Sequence, residues 1–236
     1  MDENFNAAGI STSSAASYDV GLRTHMQSVY NYMAGGLVLT GLLAWVVANT
    51  ALAGLIFGTP LKWLVMLAPL GFVMFMQFKF QTISVGTLRT LFWAFCGTMG
   101  LSMGAIFLVF TNASIARAFF ITAATFGTMS LWGYTTKRDL TGFGSFLMMG
   151  VIGLMIAGVV NVFLASSMLH WVSSIIGVFI FTGLTAYDTQ RIKETFNDNW
   201  GREANDKLAV FGALSLYMDF INAFQFLLQL TGQRRD

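Results

Sequence analysis

Charge is what this chain of 236 residues has least of. Only 10% of its side chains are Asp, Glu, Lys or Arg, where ordinary globular chains carry about 25%. So few charges cannot clothe a soluble enzyme of this length, and an apolar content of 56% is far above that of a disordered chain. A single cysteine, Cys96, excludes an internal disulfide and a cysteine-based metal site; lying in an apolar run, it reads as a small packing residue. Two histidines, His25 and His170, have no partners at ligand spacing, and His170 beside Trp171 suits the membrane interface. With a net charge of +2 and no basic cluster larger than Lys137-Arg138 or Arg234-Arg235, nucleic acid is not an expected partner. A GxxxxGK phosphate loop is also missing.

What the chain has instead is long apolar runs. A helix crossing the hydrocarbon core needs about 20 mostly apolar residues. Seven runs meet that need, at 29–53, 61–79, 89–110, 115–134, 143–165, 170–190 and 207–230. None alternates apolar with polar as barrel strands do. The fold class expected is therefore an all-α membrane domain of seven transmembrane helices over 28–236. Residues 1–27 begin acidic, are rich in Ser and Ala, and lack an apolar stretch of signal-peptide length. They read as a flexible polar tail.

Orientation follows from the basic residues of the short loops. Arg23, Lys79, Arg89, Lys137, Arg138, Arg191, Lys193, Arg202 and Lys207 fall on the side of the N-terminus; Lys62, Arg117, Arg234 and Arg235 fall on the other. Nine against four places the N-terminus in the cytoplasm. The basic ending Arg234-Arg235 argues the other way, so a last segment that re-enters without crossing stays open as an alternative. Small residues inside the spans, Gly97, Gly100 and Gly104 on the third and Gly150, Gly153 and Ala157 on the fifth, suit close helix packing.

Most charges lie at span ends, where they snorkel to water. Two carboxylates are harder to dismiss in that way. Asp188 lies near the cytoplasmic end of the sixth span, and Asp219 near the middle of the seventh. A charged Asp at a bilayer centre costs about 2.5–3.5 kcal/mol even on the lenient scale, so it must face protein or water. Gly212, Ser215, Asp219, Asn222 and Gln229 share one side of a helix, as do Thr185, Asp188 and Thr189. The short connection at 190–207 makes the two helices antiparallel neighbours. If the stripes meet, the aspartates form a coupled pair that cannot easily ionise twice. A shared proton would hold the helices together, and its loss would leave repulsion or a site for a cation such as calcium. Two plainer readings stand beside this: Asp188 paired locally with Arg191, and a protonated Asp219 hydrogen-bonded with Asn222.

Two segments carry a family resemblance. YDTQRIK at 187–193 and ALSLYMDFINAF at 213–224 resemble the signature segments of the Bax inhibitor family, and the stretch 123–150 is similar to its fourth and fifth helices with the loop between. The resemblance implies a seven-helix bundle whose last helix is central and wrapped by the other six. It further implies a pH-sensitive calcium leak in a bacterial inner membrane, with Asp188 and Asp219 as proton-sensing gate and as calcium ligands, and no catalytic residues or cofactor other than the ion. Some members of the family instead modulate a membrane protease. Lys79, Arg191 and Asn222 are the candidates for supporting the gate. The sequence departs from the family at the second span, where Pro69 stands about where an acid is expected, and Lys79 is the only basic residue available in place of an arginine. Lysine offers a point charge rather than a bidentate fork.

Three functions follow. The first is the pH-gated leak. The second is a non-conducting regulator, for which the handle would be the tail 1–27. The third is an intramembrane aspartyl protease, for which two carboxylates could share a proton over a water. Against the third, no Gly-x-Gly-Asp surrounds Asp219 and no Pro-Ala-Leu follows; no enzyme is expected.

Overall fold

A computed structural model describes residues 3–235, with side chains from Tyr18 onward. Long helices fill it: α1 (Glu3–Ala48), a short α2 (Leu52–Phe57), α3 (Leu61–Lys79), α4 (Val85–Val109), α5 (Asn112–Thr135), α6 (Thr141–Leu164), α7 (Ser167–Thr195) and α8 (Gly201–Thr231), with one 3-10 turn at Asp198–Trp200. Seven segments are long and apolar enough to cross a membrane: Tyr18–Ala48, the five helices α3 to α7, and Asp198–Thr231. The chain is an all-helical, integral membrane protein.

The first span differs from its expected edges at both ends. Helix continues through residues 18–27, and Leu22, His25 and Met26 are buried there, so this part of the expected tail belongs to the bundle. Tail residues 1–17 lie outside the described side chains. At the other end α1 stops at Ala48 rather than 53. Asn49 Nδ2 and Thr50 Oγ1 donate back to the carbonyls of Trp45 and Val46 at 2.8 Å each; polar side chains that bond the helix's own carbonyls compete with its continuation.

Burial sorts the helices. Helix α8 is the most enclosed: 56% of its apolar window is buried, against 6% for α6. It packs against α7, α1, α5 and α4, while α3 lies outside on α4 and α6 lies outside on α7. The outward faces of α3 and α6 present Leu64, Phe78, Phe146, Met155, Val162 and Phe163, all more than 60% exposed. Apolar exposure on that scale suits lipid and not water.

Small residues set the closest approaches. A Cβ on Gly100 would lie 2.8 Å from both Leu43 Cβ and Thr40 O, and one on Gly104 would lie 2.6 Å from Val47 Cγ1, so α4 needs both glycines to seat on α1. Gly150 is similarly filled by Ile180 Cδ1, whereas nothing lies within 4 Å of a Cβ on Gly153. Gly153 is exposed and faces away from the bundle, a correction to its expected packing role.

The far end of α8 settles its course. After Thr231 the chain pairs with the α4–α5 connection: Thr111 N donates to Gln233 O (3.0 Å) and Arg235 N to Val109 O (2.9 Å), and Arg235 Nη2 donates to Asn112 Oδ1 (3.1 Å). Helix α8 starts beside the end of α7 and finishes at the opposite end of the bundle, one continuous helix of 31 residues. It does not turn back. The arginine that favoured re-entry is held by an amide at the α5 N-terminus.

Candidate functional site

The site is built where α7 and α8 run antiparallel. The two helices are drawn together by small residues on each. Gly177 is covered by the Phe226 ring, and a Cβ on Gly212 would lie 3.0 Å from Ile192 Cγ1. Ala223 joins Phe181 and Leu184 in one apolar cluster. Between these contacts Asp188 of α7 and Asp219 of α8 lie near enough for each carboxyl to act on the charge of the other. Asp219 is only 4% exposed and its Oδ2 has no hydrogen-bond donor among the described residues. Two ionised carboxylates are both acceptors, so only a proton on one of them, a water or a cation can fill that gap.

Why the sequence aims Asp219 at α7 is visible two residues earlier. Successive helical residues turn by about 100°, so Tyr217 points roughly opposite to Asp219. Tyr217 is fully buried against α1 and α4. Thr40 Oγ1 donates its one proton to Cys96 O (2.9 Å), so Tyr217 Oη must donate to Thr40 Oγ1 (2.7 Å). The Phe95 ring meets Tyr217 edge-on at 5.3 Å. Cys96 is buried and unpaired here, a packing residue as expected. Tyr217 thus fixes the rotation of α8, and Asp219 inherits it.

The YDTQRIK segment fastens α7 to its other neighbours. A Cβ on Gly144 of α6 would overlap the Tyr187 ring, and one on Gly133 of α5 would overlap the Ala186 carbonyl. Gln190, 5% exposed, clamps the α5–α6 connection: its Nε2 donates to Arg138 O and its Oε1 accepts from Leu140 N, both at 2.8 Å. Lys193 Nζ donates to Tyr134 O (2.9 Å) and lies over the Tyr134 ring.

The supporting residues are placed less uniformly. Arg191, exposed one turn beyond Asp188, exerts a favourable charge interaction on it. Asn222 spends its amide within α8, donating to Met218 O (2.8 Å). Lys79 is exposed at the end of α3, a helix that packs on α4, and has no ion pair among the described residues. Among the described residues Arg191 forms no ion pair with Asp188 within 4 Å.

A second polar system was not legible in the sequence. Thr189 Oγ1 donates to Thr185 O (2.7 Å), so Ser130 donates to Thr189 (3.0 Å) and Tyr30 Oη to Ser130. This chain of hydroxyls ties α1, α5 and α7 beside Asp188. Tyr30 and Ser130 also line a cavity of about 650 Å³ between α1 and α5, with Asp19, Arg23, Gln27 and Tyr134 among its other walls. Neither Asp188 nor Asp219 lines this cavity. On the side of the N-terminus Arg89 Nη2 binds Asp206 Oδ2 at 2.9 Å, and buried His25 lies against the Phe196 ring at 5.3 Å. No signal in the sequence joined these, since the partners lie far apart along the chain.

As a calcium site the arrangement is sparse. Among the described residues no group of three or more His, Cys, Asp or Glu comes together, and calcium takes six to eight oxygens.

Comparison with known proteins agrees with the architecture. A family model described as "Inhibitor of apoptosis-promoting Bax1" matches residues 22–236. The chain is 44% identical over 226 residues to the Rickettsia prowazekii protein RP147, covering 95% of this chain and 96% of that one. It is 44% identical over 219 residues to the inner membrane protein YbhL of Escherichia coli K12, covering 91% and 94%, and 46% identical over 234 residues to a protein of Caulobacter vibrioides, covering 93% and 92%.

Proposed function

The chain belongs to the Bax inhibitor family, and we propose that it is a pH-sensitive calcium leak of a bacterial inner membrane, gated by Asp188 and Asp219. One observation carries the proposal: two carboxyl groups held near one another between helices, with a buried oxygen that lacks a donor. With a proton between them the pair joins α7 to α8. Without it, two negative charges repel in a medium of low dielectric, and the repulsion is relieved by separation of the helices or by a cation. A group that is a clamp in one protonation state and a cation stop in the other is what a pH-dependent leak requires. No bond-making chemistry is invoked, and calcium is the cargo rather than a cofactor.

The inner-membrane location rests on the printed name of the Escherichia coli relative and the cytoplasmic N-terminus on the nine basic residues of that side. Calcium efflux from proteoliposomes at pH 5 to 8, compared between wild type and Asp219→Asn, tests the gate. The variant is expected to lose the pH dependence, because an amide can bridge to Asp188 at any pH. A flux with unaltered pH dependence in Asp219→Asn would sink the proposal.

A further inference from the structure

One helical turn from each aspartate, towards the end of the bundle that holds the C-terminus, lies a small, partly open chamber. Thr185 lines it three residues before Asp188, and Ala223 lines it four residues after Asp219. Its volume is about 50 Å³ and its walls carry four threonines from two helices: Thr122 and Thr125 of α5, Thr182 and Thr185 of α7. Thr122 is 4% exposed, and its Oγ1 is buried without a hydrogen-bond partner among the described residues. A buried hydroxyl left unbonded costs on the order of 1–3 kcal/mol, and most such groups in folded proteins are paired.

The other hydroxyls explain what would satisfy it. Thr125 Oγ1 donates to Ile121 O and Thr185 Oγ1 to Phe181 O, both at 2.9 Å. Their protons are committed and their lone pairs are free. Thr122 offers a donor; Thr125 and Thr185 offer acceptors. A single water takes one hydrogen bond and gives two, which matches that set, and a buried water typically makes about three such bonds. The chamber is also large enough, since a water needs on the order of 10–15 Å³ of such space.

We infer that the threonine chamber is a hydration site on the ion path, where a water held by Thr122, Thr125 and Thr185 links the Asp188–Asp219 pair to the half of the bundle that ends at the C-terminus. Its presence rests on the chamber alone, and its part in conduction rests on the proposed gate. The site would take water, and a partly dehydrated cation leaving the pair would exchange a carboxylate oxygen for that water.

The test has two readouts on the full-length protein. In a high-resolution density map of the wild type in lipid nanodiscs, a water within hydrogen-bonding distance of Thr122 Oγ1 is expected, and it should be gone in Thr122→Val, whose side chain has the same shape without the hydroxyl. In proteoliposomes Thr122→Val is expected to lower calcium flux at least tenfold with the pH profile retained, and Thr122→Ser to stay within twofold of wild type. Thr125→Val, which removes one of the two acceptors, serves if Thr122→Val does not fold. A dry chamber overturns the inference whatever the flux. So does unchanged flux in Thr122→Val when Asp219→Asn alters the pH profile, and that result leaves the gate standing. A hydrated chamber in a protein whose Asp219→Asn variant keeps its pH dependence sinks the gate and the conduction role, and leaves the hydration site.

Discussion

Coupling between Asp188 and Asp219 can be measured without any transport. Two unit charges about 4 Å apart repel by about 4 kcal/mol at an effective dielectric near 20. Asp219 is buried and Asp188 is half-buried, so solvent screens the pair little. Arg191 offsets part of the repulsion from one side, but it is exposed and therefore screened itself. The perturbation is a double-mutant cycle of Asp188→Asn and Asp219→Asn, read as melting temperature in detergent at pH 5 and at pH 8. At low pH a proton occupies the pair, the repulsion is absent and each single substitution is nearly neutral. As pH rises the wild type loses that proton and becomes less stable, while either single variant keeps one neutral partner and escapes the penalty. Stability held by the shared proton is thus present at acid pH and lost on the alkaline side. For a chain of this size each kcal/mol moves the melting temperature by roughly 2–4 °C, so the variants should exceed wild type at pH 8 by on the order of 10 °C. The double variant should gain no more than either single one, because the repulsion is removed once. Independent, additive effects of the two substitutions, equal at both pH values, would refute the reasoning.

Two further predictions come from the same helices. Gln190→Ala leaves a buried N–H of Leu140 and the carbonyl of Arg138 without partners; at about 1–3 kcal/mol for each unsatisfied group, the loss should show as faster proteolysis of the α5–α6 connection, and cleavage at the wild-type rate would contradict the clamp. Asp139, in that connection, has its carboxyl held below the ordinary carboxylate range by hydrogen bonds from Thr141, side chain and then backbone. That support exists above the ordinary carboxylate pKa and is lost as pH falls through the lowered value, so amide exchange at Thr141 should accelerate at strongly acid pH in wild type and lose this acid step in Asp139→Asn.

Scarcity of charge decided much of the molecule before any contact was known. With so few ionisable residues, each one inside an apolar run had to be accounted for, and subtraction led to Asp188 and Asp219. The periodic placement of Gly212, Asp219 and Gln229 marked the face of α8 that meets α7, and Gln229 does face Ser174 there at 3.5 Å. Span positions followed from hydrocarbon thickness, except at the first, where Asn49 and Thr50 end the helix by bonding it and where His25 and Leu22 pack rather than trail. Local patterns carry such information because burial in lipid demands it of every residue in turn.

The rest is long-range and has no local signature. Threonine and serine occur throughout membrane helices, so nothing in the chain distinguishes Thr189 bonded to Ser130 from Thr128 bonded to its own helix at Ala124 O. The rotation that points Asp219 at Asp188 is set by Tyr217 and Thr40, which lie 177 residues apart. Nor could a charge count show that Arg235 is held at Asn112, because that is a fact of helix order around α8. The sequence alone determined that seven apolar helices cross a membrane carrying two acids that water cannot easily reach. Only tertiary structure decided that the acids meet, since the meeting depends on the packing of glycines, an aromatic anchor and hydroxyls drawn from helices distant in the chain.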